Sequence, residues 1–229
     1  MSTDILSIME NSNTIVLFDI DHTLFDTASY QQACYQKIFS LINFSDKDAF
    51  FAACNVIYKE QRTHGSFFRK EFIDSLCERL GLTADKEKLV EVFADESILD
   101  GSVYPDADEV ITSLTDRKIL IGIFSAGPHG LQRAKIKSLL NHFSEEHIYI
   151  HEIDKKQNIP LIVDTYKDYR VFAIDDLVDV LYSLKSESKN IMTILIKRED
   201  WHNRAKIAPS DFRSDFEIRS LKELDQIIK

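Results

Sequence analysis

The sequence predicts an α/β fold built on a doubly wound parallel sheet, with an all-helical segment inserted after the first strand. Three observations predict it. Short, wholly apolar runs recur along the chain and stop at polar residues. Helical patterns alternate with those runs through the second half, and a long stretch in the first half carries helical spacing alone.

Taken in order, residues 15–18 form an unbroken apolar run that stops at Asp19, the mark of a strand buried on both faces. Similar runs follow at 119–124, 147–150, 171–174 and 191–196, with helical patterns near 131–140, 159–166 and 177–184. Between about Thr27 and Tyr104 there is no strand pattern. Tyr35, Ile38, Phe39, Leu41 and Ile42, then Phe50, Phe51, Cys54 and Ile57, recur at helical spacing. Two more helices are predicted at 72–80 and 88–93, with Gly81 as a C-terminal cap and Ser45 as an N-cap signal ahead of Asp48. The division expected is a core of residues 1–26 and 105–229 and a helical domain of residues 27–104, meeting near Asp26 and Pro105.

With 229 residues, 44% apolar and 29% charged, the chain can bury a sizeable core unaided. A net charge of −10 argues against a nucleic-acid partner but leaves room for a small anion bound by local cations. Cys34, Cys54 and Cys77 have no metal-binding spacing and read as reduced core thiols. No leader pattern and no membrane-length apolar segment is present, so no membrane partner and a cytoplasmic location are expected.

In an α/β sheet the ligand site lies at the carboxyl ends of the strands. The first run ends in Asp19-Ile20-Asp21-His22-Thr23-Leu24-Phe25-Asp26, where acids two apart in extended chain face one way. Such a pair can bind a metal, or divide nucleophilic attack and proton transfer between them. The second run ends at Ser125-Ala126-Gly127, a hydroxyl and backbone N–H groups suited to phosphate oxygens. A later one ends at Asp175-Asp176, with Asp179 beyond. Acidic oxygens from two strand ends suit a hard cation such as Mg²⁺.

Asp19-x-Asp21-x-Thr23-Leu24-Phe25 after four apolar residues resembles the first signature of the haloacid dehalogenase-like superfamily. Ser125 after Ile121-Gly122-Ile123-Phe124 resembles its second, and Asp175-Asp176 after residues 171–174 its fourth, in the family's order. The helical insertion corresponds to the cap the family calls type C1, and Tyr104-Pro105-Asp106-Ala107 resembles the return from it. The resemblance implies a Rossmann-like core and a Mg²⁺-dependent phosphatase acting on a small phosphorylated metabolite, such as a nucleotide or sugar phosphate. It also implies a role for each site residue. Asp19 becomes phosphorylated, and Asp21 protonates the leaving alcohol and then activates water. Mg²⁺ is held by Asp19, the Asp21 carbonyl and the acids Asp175 and Asp176, one or both. Ser125 serves the phosphate, and Thr23 serves the phosphate or orients Asp21 or the loop.

The third signature is a lysine, usually ahead of a proline. Here Lys156 is preferred over Lys155 from its distance to the following apolar positions, and neither has an adjacent proline. The fourth signature often carries glycine before its acid, where this chain has Ile174. His22, at a position where the family often has glycine, reads as structural, and Asp179 as a residue that can orient metal-bound water. The resemblance further implies a cap loop over the site, bringing Arg62, His64 and Arg69 to the substrate. The segment Gln132-Arg133-Ala134-Lys135-Ile136 resembles the corresponding segment of superfamily members that act as nucleotidases. A phosphomutase or phosphotransferase, and a non-catalytic protein of the same fold, are the alternatives. A dehalogenase fits less well, because those relatives work without metal and lack the second acid.

Overall fold

The structure, a computed structural model, describes residues 13–63, 67–199, 201–202 and 205–229, with only the backbone of Arg62 and Thr63. Six strands form one sheet: β1 (Thr14–Phe18), β2 (Leu120–Ala126), β3 (Ile148–His151), β4 (Arg170–Asp175), β5 (Ile191–Ile196) and β6 (Phe216–Ile218). Their order is β3-β2-β1-β4-β5-β6, and every pairing is parallel. Central β1 explains the unbroken apolar run. Val16 and Phe18 pack into one apolar layer, Ile15 and Leu17 into the other, so no position faces water. Chain order reverses between β1 and β4, and at that switch the strand ends leave a crevice. The apolar runs mark β1 to β5. β6 is three residues at the sheet edge, pairing only with β5, and carries no run to mark it.

Between β1 and β2 lie α1 (Thr27–Leu41), α2 (Lys47–Thr63), α3 (Arg69–Leu80), α4 (Lys86–Glu91), α5 (Glu96–Asp100) and α6 (Pro105–Asp116). Later come α7 (His129–Lys135), α8 (Ile159–Thr165), α9 (Val178–Glu187) and α10 (Leu224–Ile227). Gly81 closes α3 as expected, at φ 62° with its N–H on Glu78 O. The N-cap of α2 is Asp46 rather than Ser45: its carboxylate accepts from Ala49 N at 2.9 Å. The pattern at 131–140 breaks in two, because α7 stops at Lys135 and the chain tightens into a 3₁₀ turn over Lys137–His142. Likewise 88–93 is α4 running into a 3₁₀ turn over Val92–Ala94.

The chain leaves and rejoins the sheet layer through two adjacent segments. Asp26 N donates to Ser102 O at 2.7 Å, and Tyr104 N to Leu24 O at 2.9 Å. Asp26 also caps α1 through Ser29 N at 2.9 Å. One continuous apolar cluster joins Phe18, Ile20 and Phe25 to Cys34, Ile38, Phe50 and Phe72 of the helical insertion. The three cysteines are buried and unbridged, as expected. Among the described residues no helix is long and apolar enough to cross a membrane.

Gly122 sits where β2 passes Leu17 and the chain before β3. A methyl group there would stand 2.6 Å from His147 O and 2.9 Å from Leu17 Cδ2. Gly122→Ala is therefore expected to cost about 1–3 kcal/mol through overpacking. It should lower the urea midpoint at an unchanged m-value.

Candidate active site

Because Phe18 is opposite Ile174, β1 and β4 end side by side, and Asp19 N donates to Ile174 O at 3.0 Å. That register places Asp19 beside Asp175 and Asp176. One oxygen from each of the three lies within 4.8 Å of the others, and all three residues are buried. Lys155 reaches between them, its Nζ 2.5 Å from Asp19 Oδ1 and 2.6 Å from Asp175 Oδ2, and it is itself only 3% exposed. Ser125, at the end of neighbouring β2, donates to Asp19 Oδ1 at 3.0 Å.

Charge in this cluster is unbalanced, with three carboxylates to one ammonium. Burial raises the Asp175 pKa, Asp19 and Asp176 add to that, and Lys155 opposes it, leaving the carboxyl above its ordinary range. Burial also works against the Lys155 charge, but Asp175 and Asp19 outweigh it and hold the ammonium above the usual lysine range. An all-oxygen, net-negative, buried donor set fits a hard divalent cation, and among the described residues no other acid, histidine or cysteine cluster does so.

The Asp21 carboxylate points elsewhere. Its Oδ1 accepts from Lys135 Nζ at 2.6 Å and from Thr27 Oγ1; its Oδ2 accepts from Gln132 Nε2 at 2.9 Å. Burial would raise its pKa, but the Lys135 charge and the three donors prevail and hold it well below the usual carboxylate range. The side chain of Asp21 therefore lies outside the three-acid cluster.

Other expected residues are placed differently from their reading in the sequence. Lys155, not Lys156, enters the site. Asp154 caps the segment by accepting from Lys156 N at 3.0 Å, and the chain then makes a 3₁₀ turn over Lys155–Asn158 before α8. Lys155 stands four residues before buried Ile159 and seven before buried Ile162, so it shares their inward face, while Lys156 is turned toward the surface. The Lys156 ammonium instead lies 3.8 Å from Asp154, a third exposed. Among the described residues the buried hydroxyl of Thr23 has no hydrogen-bond partner, and Thr27 makes the contact to Asp21 instead. Asp179 accepts from the backbone N–H groups of Lys206, Ile207 and Ala208 and so shapes the loop after β5. His22 has φ 59°, the left-handed conformation that glycine adopts freely, which accounts for a turn at this position.

A cavity of about 200 Å³ opens beside Asp176, bounded by His22, Gln31, Tyr58, Arg198, Trp201 and His202. Trp201 Nε1 donates to Asp176 O at 2.8 Å. Arg69 opens α3 and is not among the residues around this cavity. His64 and the side chain of Arg62 lie outside the described residues.

The sequence reading assigned no role to Arg198 or Trp201. It noted Gln132 and Lys135 only as part of a resemblance. Arg198 holds Asp106 through two bonds, of 2.9 and 3.0 Å, and donates to Thr23 O at 2.8 Å. The available signals were its position two residues beyond β5 and, for Gln132 and Lys135, a spacing of one helical turn just after Ser125.

Comparison with known proteins places these features in context. A family model described as haloacid dehalogenase-like hydrolase matches residues 14–176. No curated protein sequence matches the chain significantly. Among solved structures, a haloacid dehalogenase-like hydrolase from Burkholderia xenovorans LB400 superposes with a TM-score of 0.75 at 18% identity, over 94% of this chain and 96% of that one. The HAD-hydrolase YfnB of Bacillus subtilis, solved bound to magnesium, gives 0.65 at 16% identity, over 95% and 99%. The L-2-haloacid dehalogenase of Xanthobacter autotrophicus, with chloropropionic acid covalently bound, gives 0.61 at 14% identity, over 94% and 98%. At these identities the likeness is one of fold.

Removing Lys155 strands buried carboxylates without their cation. Lys155→Ala is expected to lose about 3–5 kcal/mol of stability in metal-free buffer, the cost of breaking a buried ion pair. Lys156→Ala should stay within about 0.5 kcal/mol of the parent, as for an ordinary surface change. Paired urea titrations measure both; equal effects would contradict the placement of Lys155.

Proposed function

This chain belongs to the haloacid dehalogenase-like hydrolase family, and within that family we propose that it is a Mg²⁺-dependent phosphatase of small phosphomonoesters. The observation that carries the reading is the buried convergence of Asp19, Asp175 and Asp176 around Lys155. A carboxylate nucleophile needs cations to approach a phosphate dianion, and this cluster is built to hold them. Mg²⁺ bound by Asp19, Asp175 and Asp176 would neutralise charge between the carboxylates and the phosphate.

The chain's own residues divide the remaining work. An Asp19 carboxylate oxygen attacks phosphorus, the bond from phosphorus to the leaving oxygen breaks, and an aspartyl-phosphate forms on Asp19. Lys155 and Ser125, which already engage Asp19 Oδ1, stabilise the charge gathering on the transferring group. Asp21 gives a proton to the leaving oxygen, then takes one from the water that attacks the aspartyl-phosphate and releases inorganic phosphate; to carry that proton it relies on the charge of the bound phosphate, which raises its carboxyl from the low range in which Lys135 holds it. The rest of the substrate sits in the cavity beside Asp176, with residues 27–104 acting as its cap through Gln31 and Tyr58 and the core contributing Trp201. Two aromatic walls and an amide favour a neutral or planar leaving group of modest size, such as a sugar or nucleoside.

Dehalogenation is the second reading, favoured by the fold shared with the Xanthobacter enzyme. Against it stand Asp21 and the three-acid cluster, which a halide displacement does not need. A phosphomutase would require the aspartyl-phosphate to pass to an acceptor alcohol instead of water.

With 4-nitrophenyl phosphate, the expected result is Mg²⁺-dependent release of inorganic phosphate over many turnovers, abolished by EDTA and restored by Mg²⁺. Chloride release from 2-chloropropionate in metal-free buffer would establish the second reading instead. Asp19→Asn should lower kcat at least about a thousandfold, ~4 kcal/mol of barrier, with unchanged circular dichroism. Activity within about tenfold of the parent would remove Asp19 from the chemistry.

A further inference from the structure

Asp21 is held on both of its oxygens by side chains of a single helix. Lys135 Nζ donates to Oδ1 at 2.6 Å and Gln132 Nε2 to Oδ2 at 2.9 Å. The two residues stand three apart on α7, one turn, and so share a face. Gln132 is 0% exposed and Lys135 7%, an unusual depth for a lysine, which is rarely buried unless paired. The Gln132 amide also donates to Ala126 O at 2.6 Å and lies 3.0 Å from Ser125 Oγ. Gly127, at φ 136°, leaves the room this amide needs: a Cβ there would lie 3.1 Å from Gln132 Cδ. Thr27, at the start of α1, adds a third donor on Oδ1.

We propose that Gln132 and Lys135 are positioning residues that fix the plane of the Asp21 carboxylate and tie it to Ser125, so that proton transfer and phosphate binding share one frame. This rests on the phosphatase reading. A single donor leaves a carboxylate free to rotate about its side-chain bonds, whereas donors on opposite oxygens do not. Both come from α7, which starts three residues after Ser125-bearing β2 ends, so the nucleophile's partner and the proton carrier move together.

The consequences differ between the two half-reactions. A 4-nitrophenolate leaves without a proton, so its transfer to Asp19 needs little from Asp21. An alkoxide leaves only with one, and attack by water on the aspartyl-phosphate needs a correctly aimed base. Misplacing Asp21 therefore slows the second step on any substrate, and the first step only on alkyl esters.

The test is steady-state kinetics of Lys135→Met and Gln132→Met on 4-nitrophenyl phosphate and on an alkyl ester, glycerol 2-phosphate, with saturating Mg²⁺. Expected on the aryl ester is a fall in kcat of about ten- to a hundredfold, with kcat/KM held within about threefold and KM falling in step. On the alkyl ester kcat/KM itself should fall about tenfold or more. KM is independent of the fraction of folded enzyme, so partial unfolding of a variant cannot produce the pattern. Lys135→Arg should recover part of the loss in kcat. Parallel falls in kcat and kcat/KM on the aryl ester, or no change in either, would overturn the proposal while leaving the phosphatase intact. A parent enzyme that releases phosphate from neither ester would overturn both.

Discussion

One ammonium between two buried carboxylates organises this site. Lys155 bridges Asp19 and Asp175 at 2.5 and 2.6 Å, where three strands of the sheet deliver their carboxyl ends. Three acids brought this close and taken out of water repel one another, and burial with its neighbours holds the Asp175 carboxyl above its ordinary range. Lys155 offsets part of that repulsion. The remainder is what a hard cation would neutralise, and what a phosphate oxygen would meet as an unfavourable field without one. The sheet carries the strain because β1 and β4 are locked in register by their backbone hydrogen bonds and by apolar layers on both faces.

A second ion pair fixes the surroundings. Asp106, at the return from the helical insertion, accepts both Arg198 nitrogens, the Ser220 hydroxyl at 2.7 Å and Leu221 N at 2.9 Å. Arg198 in turn donates to Thr23 O and stacks 3.9 Å from the Tyr104 ring. The turn that carries Asp19 and Asp21, the start of α6, the segment after β5 and the C-terminal turn thus meet at one ion pair, Arg198 with Asp106. A buried network of several bonds rigidifies the backbone around it, even with Arg198 Nε left without a hydrogen-bond partner among the described residues. That rigidity matters here, since Arg198 also borders the cavity beside Asp176.

The shared fold does not decide the chemistry. A haloacid dehalogenase and a magnesium-bound hydrolase both superpose on this chain, and a fold can host unrelated reactions. What distinguishes possibilities is local: a second acid at Asp21 held by Lys135 and Gln132, and an acid pair at the end of β4. The chain's net charge of −10 does not by itself exclude an anionic substrate, because a hard cation held by the three acids would offset the local negative field.

The sequence by itself determined the sheet and the acids. Short apolar runs alternating with helical patterns mark strands buried on two faces, and residues that end such strands collect in the crevice of a doubly wound sheet, so Asp19, Ser125, Asp175 and Asp176 were legible through their order and spacing together. Strand β6 was not, because three alternating residues at an edge leave no pattern above background. Only the tertiary structure decided between Lys155 and Lys156, since either lies within about one helical turn of Ile159 and only the folded strand ends show which ammonium meets Asp19 and Asp175. It also decided that Thr27 and not Thr23 meets Asp21, and that Lys135, Gln132 and Arg198 belong to the site at all. Those contacts span up to 175 positions of sequence. A buried lysine and a solvated one read alike until the fold shows which has a carboxylate to face.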